Sequence, residues 1–333
     1  MLDTIQLPAP PDYFPPSHGR YDVSAGLKPL GAQSPFQIDV NYLDYLEAKA
    51  ASRRENPAKY FLTHDFSDDL HRAVTRYACE SLAAHYPDYF GVEGDRFVNH
   101  LIGLSARLDF DALRVAQVRH GRALLPGGDR LYREFDLEGA ALFDFLALQT
   151  QEDWAVDAIE PETRREWLAA LHLSFPNHWS PAEKIGRAFV EVHRPVAAIE
   201  PLLKAAPSLI ETMIFRGPWE RFAWDIRTDR VLNRHPDDLD ASAGRLEDYS
   251  AASVGAGTYM RIERQALKGF PGQAGALFLI RTYFRPVAEV ATNPDEREAL
   301  AKALRTMKPE SLVYKGLTRL QEPLVAYLSG EPT

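Results

Sequence analysis

Apolar residues recur at spacings of three and four through residues 39–86, where Leu70, Ala73, Val74, Tyr77, Ala78 and Leu82 mark one stripe. Such a repeat lies on one side of a helix, Ser67 stands ahead of it as an N-cap, and Pro87 closes it. Residues 97–125 read as mixed, and Pro126-Gly127-Gly128-Asp129 is the clearest internal turn and a candidate boundary. A helix-like run at 137–153 and a short strand at 167–175 follow. The best-signed helix is predicted over residues 180–193. Ser180 as N-cap, Pro181 at the first helical position and Glu183 three residues after the cap make a capping box, and Pro195 stops the helix past His193. Strand-like runs then occupy 211–216, 219–226, 257–266 and 276–290, the last two joined through Gly269-Phe270-Pro271-Gly272 in the manner of a hairpin. Asn293-Pro294-Asp295-Glu296 repeats the capping signature and opens a helical tail to about residue 328, broken at Pro309. The first 35 residues, rich in Pro, Gly and aromatics, predict an extended arm docked on the body. Helices and strands segregated in this way predict an α+β fold and not a doubly wound one.

Composition narrows the function classes. The chain has 333 residues, 45% hydrophobic and 26% charged, the profile of a soluble globular protein. Lys plus Arg number 38 against 47 Asp plus Glu, a net charge of −9 that disfavours nucleic acid as the main partner. The single cysteine, Cys79, excludes an intramolecular disulfide, a thiolate-rich zinc site and a four-cysteine iron–sulfur cluster. With no leader and no membrane-spanning run, neither secretion nor a membrane is expected, and the cytoplasm is the expected compartment.

The common catalytic signatures are absent: there is no G-x-S-x-G elbow, no phosphate-binding P-loop, no H-E-x-x-H, and Gly255 and Gly257 lack a third glycine. Among ten histidines, His193 stands out, four residues after Phe189 and eight after Ile185 on the apolar edge of the predicted helix. It is either a last-turn histidine favoured by the helix dipole or an imidazole aimed into an apolar pocket, as a haem iron requires. Cys79, mid-helix, reads as an inert buried thiol, and His64 and His71 among aspartates read as a solvated helix start. Alternation places Arg261 and Glu263 on one strand face, and Arg281, Tyr283 and Arg285 on another. These form either a solvent-facing, ion-paired sheet or a lining that clamps carboxylates such as haem propionates.

The run Leu173-Ser174-Phe175-Pro176-Asn177-His178-Trp179-Ser180-Pro181-Ala182-Glu183-Lys184-Ile185-Gly186, continuing to Val192-His193-Arg194-Pro195-Val196, resembles the signature of the haem-dependent oxidative N-demethylase family. Gln151-Glu152-Asp153, Arg261-Ile262-Glu263-Arg264-Gln265-Ala266-Leu267, Leu279-Ile280-Arg281-Thr282-Tyr283, Phe36-Gln37-Ile38-Asp39 with Tyr42, and Tyr314-Lys315-Gly316 agree with it. The resemblance implies a PAS-like antiparallel sheet core with N- and C-terminal helical additions. The chain is then one integrated unit: an arm and helical region at 1–126, a haem-binding core at 127–291 and C-terminal helices at 292–333. It implies haem b ligated by His193, cofactor contacts from Lys184, Arg261, Arg264 and Arg281, and a small amine held by Glu263 with Tyr283, or by Trp224. The activity implied is monooxygenation: oxidative N-demethylation of dimethylamine to methylamine and formaldehyde with O2. The haem is non-covalent, since no C-x-x-C-H is present, and electrons come from a separate flavin or iron–sulfur reductase. An oligomer is compatible with all of this. One departure is Ala223, where the family pattern places an Asn before Trp224; it implies a different amine, or none. The rival readings are a haem-based PAS sensor and a haem-free small-molecule binder.

Overall fold

The computed structural model describes residues 5–238, 246 and 248–330. Its centre is an antiparallel sheet of seven strands. Four strands form its middle: β7 (Asp153–Ile159), β9 (Trp219–Arg227), β10 (Tyr259–Phe270) and β11 (Gly275–Pro286). With β1 (Lys28–Pro29), β2 (Phe61–Thr63) and β8 (Glu166–His172) the order is β1-β9-β10-β11-β7-β8-β2. A second antiparallel sheet, β3 (Phe90–Glu93), β4 (Arg96–Asn99), β5 (Leu104–Asp109) and β6 (Arg114–His120), occupies the stretch whose pattern is mixed in sequence. The α+β class expected from segregation is the class observed.

Helices cover the sheets. α1 (Tyr42–Glu55), α3 (Asp68–His85) and α4 (Leu142–Ala147) pack on one side, in a core that joins residues from Phe36 to Leu279, and the short α2 (Pro57–Tyr60) leads from α1 to β2. Ser67 caps α3, its hydroxyl accepting from the Leu70 N–H at 3.3 Å. α5 (Pro181–Lys184), α6 (Phe189–His193) and α7 (Glu200–Phe215) pack on the other side. α8 (Ala251–Gly257), α9 (Val287–Val290), α10 (Pro294–Arg305), α11 (Pro309–Lys315) and α12 (Gln321–Ser329) close one end. Among the described residues no helix is long and apolar enough to cross a membrane.

Several elements differ from the sequence pattern: residues 287–290 of the predicted last strand form α9, and the tail breaks again between α11 and α12. The predicted helix at 180–193 is two helices, because Gly186 takes φ +75° beneath His64, where a Cβ would come within 2.9 Å of the ring, and the intervening backbone pairs with Leu168 instead. Residues 211–216 belong to α7 and its end, not to a strand; α7 buries Leu202, Ala206, Leu209, Ile210 and Met213 at helical spacing, so packing overrides their strand character. The run at 137–153 is the short α4, with β7 beginning at Asp153.

On the α1 face of the sheet, buried charges fasten the arm. Arg281, fully buried, places Nη2 2.8 Å from Asp39 Oδ2 and its guanidinium over the rings of Tyr45 (3.7 Å) and Tyr283 (4.6 Å). Arg264 donates to the carbonyls of Pro35 and Ser34 and pairs with Glu220 at 2.5 Å, and Glu152 accepts from the Gln37 N–H at 2.8 Å. The Asp39 N–H donates to Gln151. Removing one partner of such a pair strands a buried charge. Asp39→Ala is therefore expected to cost about 3–5 kcal/mol of unfolding free energy in urea titrations, with a large part recovered on adding Arg281→Met.

Candidate functional site

The opposite face of the sheet lines a cavity of about 930 Å³, within the size range of ligand pockets and roofed by α5, α6 and α7. Alternation selects what faces it: Arg221, Ala223, Asp225 and Arg227 of β9; Arg261, Glu263, Gln265 and Leu267 of β10; Phe278 and Ile280 of β11; Ala155 and Asp157 of β7. Trp224 lines it as well, although it points oppositely to Ala223, so the cavity reaches round β9 to the arm, where Tyr21 meets Trp224 edge-on at 5.6 Å.

His193 enters from the last turn of α6. The start of that helix is held at two backbone donors: Ala188 N–H to Glu191 at 3.1 Å and Phe189 N–H to both oxygens of Glu166 at 2.8 Å. The Phe189 carbonyl lies 2.8 Å from His193 Nδ1, and its ring centroid 4.0 Å from the imidazole. A carbonyl only accepts, so Nδ1 carries the proton of the neutral ring and Nε2 keeps its lone pair. Burial holds the imidazole pKa down to about 4, against the Phe189 bond and with Lys184 and Arg221 adding to the effect. The ring is neutral at pH 7.

Cations gather near it. Lys184 lies 4.2 Å above the Trp179 ring, and burial lowers its pKa to about 8. Arg221 donates to the Ser24 carbonyl at 3.1 Å, while its buried Nε has no partner among the described residues. Arg261 donates to the carbonyls of Phe175 (2.9 Å) and Leu232 (3.1 Å), with its Nε 3.7 Å from Glu263. Glu263 also accepts from Gln265 at 3.1 Å. A second histidine, His178, lines the cavity in a left-handed conformation (φ +65°), its pKa held down to about 4 by burial and by Arg227 and Arg234. Asp153 supports this wall by accepting from the N–H groups of Ser174 (2.7 Å) and Phe175 (2.8 Å).

Of the residues singled out in sequence, His193, Lys184, Arg261, Glu263 and Trp224 line the cavity. Arg264, Arg281 and Tyr283 do not; they sit on the other face, where Arg264 and Arg281 bind the arm and the Tyr283 hydroxyl donates to Gln37. Period-two reasoning on β11 alone leaves open which face is inside. Arg221, His178 and Asp157 escaped the sequence reading, although Arg221 shares its strand face with Ala223 and was reachable by the same alternation. Cys79 is buried in α3 outside the cavity, its thiol pushed up by burial. His71 is a core residue, Nε2 accepting from the Phe143 N–H at 3.1 Å.

This donor set fits the haem that the resemblance implies. The imidazole has one nitrogen committed and one free, Leu168, Leu171, Val192, Leu209 and Phe278 make apolar walls, and Lys184 and the orphaned Arg221 Nε offer partners for two carboxylates. The family model described as haem-dependent oxidative N-demethylase, alpha subunit-like, matches residues 26–325 of the chain.

His193→Ala is expected to abolish the Soret band after haem reconstitution and desalting, whereas Cys79→Ser keeps it. Because protonation of Nε2 competes with ligation and is deferred to about pH 4, the wild-type band is expected to hold from pH 8 to pH 5 and to fall only as pH approaches 4; absorption titration checks both.

Proposed function

The chain belongs to the haem-dependent oxidative N-demethylase, alpha subunit-like family, and on that premise we propose that its cavity binds haem b and oxidises the N-methyl group of a small, dimethylamine-like amine, releasing formaldehyde. The observation that carries this reading is the neutral His193 imidazole, anchored through Nδ1 and open at Nε2 in an apolar cavity. The seven-stranded sheet with short helices over one face is read as a PAS-like core, with α10–α12 and the N-terminal region as additions to a single unit.

In this reading His193 holds the iron, and Lys184, Arg221 and Arg261 neutralise the propionates. Haem bound there supplies the oxygen and one-electron chemistry. The overall balance is one methylated amine, O2, two electrons and two protons giving the demethylated amine, formaldehyde and water. No nicotinamide, flavin or iron–sulfur motif occurs in the chain, so the electrons are assigned to a separate flavin or iron–sulfur reductase, in keeping with an alpha subunit-like family. Apolar walls exclude water from the reacting methyl group. Glu263 offers a carboxylate to a cation; Trp224, on the opposite face of β9, is the alternative, offering an aromatic ring at the arm end of the cavity. Ala223 sits directly across the strand pair from Glu263, so the amide expected of relatives is replaced by free space beside that carboxylate.

Haem-loaded protein supplied with a surrogate reductase is expected to release formaldehyde in equal amount to demethylated product, and Ala223→Asn to move its preference toward smaller amines. Reduction of the haem with no formaldehyde from any of several methylated amines contradicts the demethylase assignment.

A further inference from the structure

Charge is unevenly spread over the cavity wall. β9 and β10 carry Arg221, Asp225, Arg227, Arg261 and Glu263, and most of these are engaged: Asp225 with Arg227, and Glu263 with Arg261 and Gln265. The surfaces from β7, β8, β11, α6 and α7 are alkyl and aromatic, with His193 and a single carboxyl, Asp157.

Asp157 lies between Leu168 on β8 and Ala276 on β11 in the strand register, with Ala155 and Ile159 on its own side of β7. Burial acts on it first and the neighbouring Glu166 second; no hydrogen-bond donor or cation among the described residues contributes. Glu166 itself is committed to the Phe189 N–H. Buried carboxylates elsewhere are answered: Asp39 by Arg281 and Asp153 by two backbone donors. An unanswered carboxyl in apolar surroundings is a cost to the folded state that Asn or Leu would avoid.

We propose that Asp157 is the counter-ion for a small alkylammonium ion bound in the apolar half of the cavity. The ammonium donates charge-assisted hydrogen bonds to the carboxylate, and its alkyl groups meet Ala155 and Leu168 beside Asp157 on β7 and β8. The inference deepens the amine reading above and rests on it for the choice of ligand, moving the cation's carboxylate from Glu263, already engaged by Arg261 and Gln265, to Asp157; it fails or stands by a different experiment.

The pH dependence follows from the carboxyl. Its pKa is raised to about 7, so it is increasingly ionised above that pH, and affinity for an alkylammonium ion, which stays protonated in this range, rises as pH increases through 7. The other titratable groups on elements packed against it are Glu166 on β8, Lys184 on α5, lowered to about 8, and His193 on α6, lowered to about 4; α7 and the cavity face of β11 present none. Lys184 titrates in the same window, so the difference between wild type and Asp157→Asn isolates Asp157.

Calorimetric titration of the haem-loaded full chain with dimethylammonium chloride, and with acetone as a neutral probe of similar size, tests the proposal. Asp157→Asn is expected to weaken dimethylammonium binding tenfold or more and to flatten its rise between pH 6 and 8. Acetone affinity and the Soret band are expected to stay unchanged, and Asp157→Glu to retain most of the cation affinity. Equal dimethylammonium affinity in wild type and Asp157→Asn, or no binding to wild type, overturns the role of Asp157. If formaldehyde is still produced, the demethylase reading survives that result; cation binding lost in Asp157→Asn without any formaldehyde from wild type upholds Asp157 and removes the demethylase.

Discussion

A β-strand sends successive side chains to opposite faces, and in β9, β10 and β11 this constraint separates the layer that fastens the chain from the layer that lines the cavity. Arg264 and Arg281 fall on one side and hold Ser34, Pro35 and Asp39. Arg261, Glu263 and Gln265 fall on the other and form the cavity wall. A slip of one residue in register would exchange the two sets, exposing the ion pairs to an apolar cavity and sending the cavity residues into the frame. The Arg281–Asp39 pair, with Tyr45 and Tyr283 beside it, lies among the contacts that such a slip would break.

The same economy of contacts governs His193. Glu166 on β8 binds the Phe189 N–H, and the Phe189 carbonyl binds His193 Nδ1. The imidazole is thus referred to the sheet through a single residue, although α6 is only Phe189–His193 long. A helix this short has little stability of its own, so its orientation derives from the strand it caps against. Lys184, on the preceding α5, is held over Trp179 and faces the same cavity. His193 and the neighbouring Lys184 are therefore delivered by two short helices in place of the one long helix that the capping signals suggest.

Much of this was legible in the chain. The capping residues Ser67, Ser180 and Asn293 marked true helix starts, and β9, β10 and β11 were visible as apolar, β-rich runs. His193 stood out because an apolar helix edge and a terminal proline bracket it. What the pattern does not carry is which face of a two-sided strand is inside, and so Arg264, Arg281 and Tyr283 were grouped with cavity residues they do not join. Nor does it carry the φ +75° turn at Gly186, which depends on His64 lying above it. Asp157 was invisible for a related reason: a carboxyl in a strand becomes unusual only when its neighbours on three strands prove to be apolar.

The central claim is that the free Nε2 of His193 ligates the haem iron, and resonance Raman spectroscopy of the ferrous, haem-loaded protein tests it most directly. The account predicts an iron–histidine stretching band in wild type that is lost in His193→Gly and restored by added imidazole, with His178→Gly leaving it in place. A band that survives His193→Gly, or that disappears with His178→Gly, would contradict it.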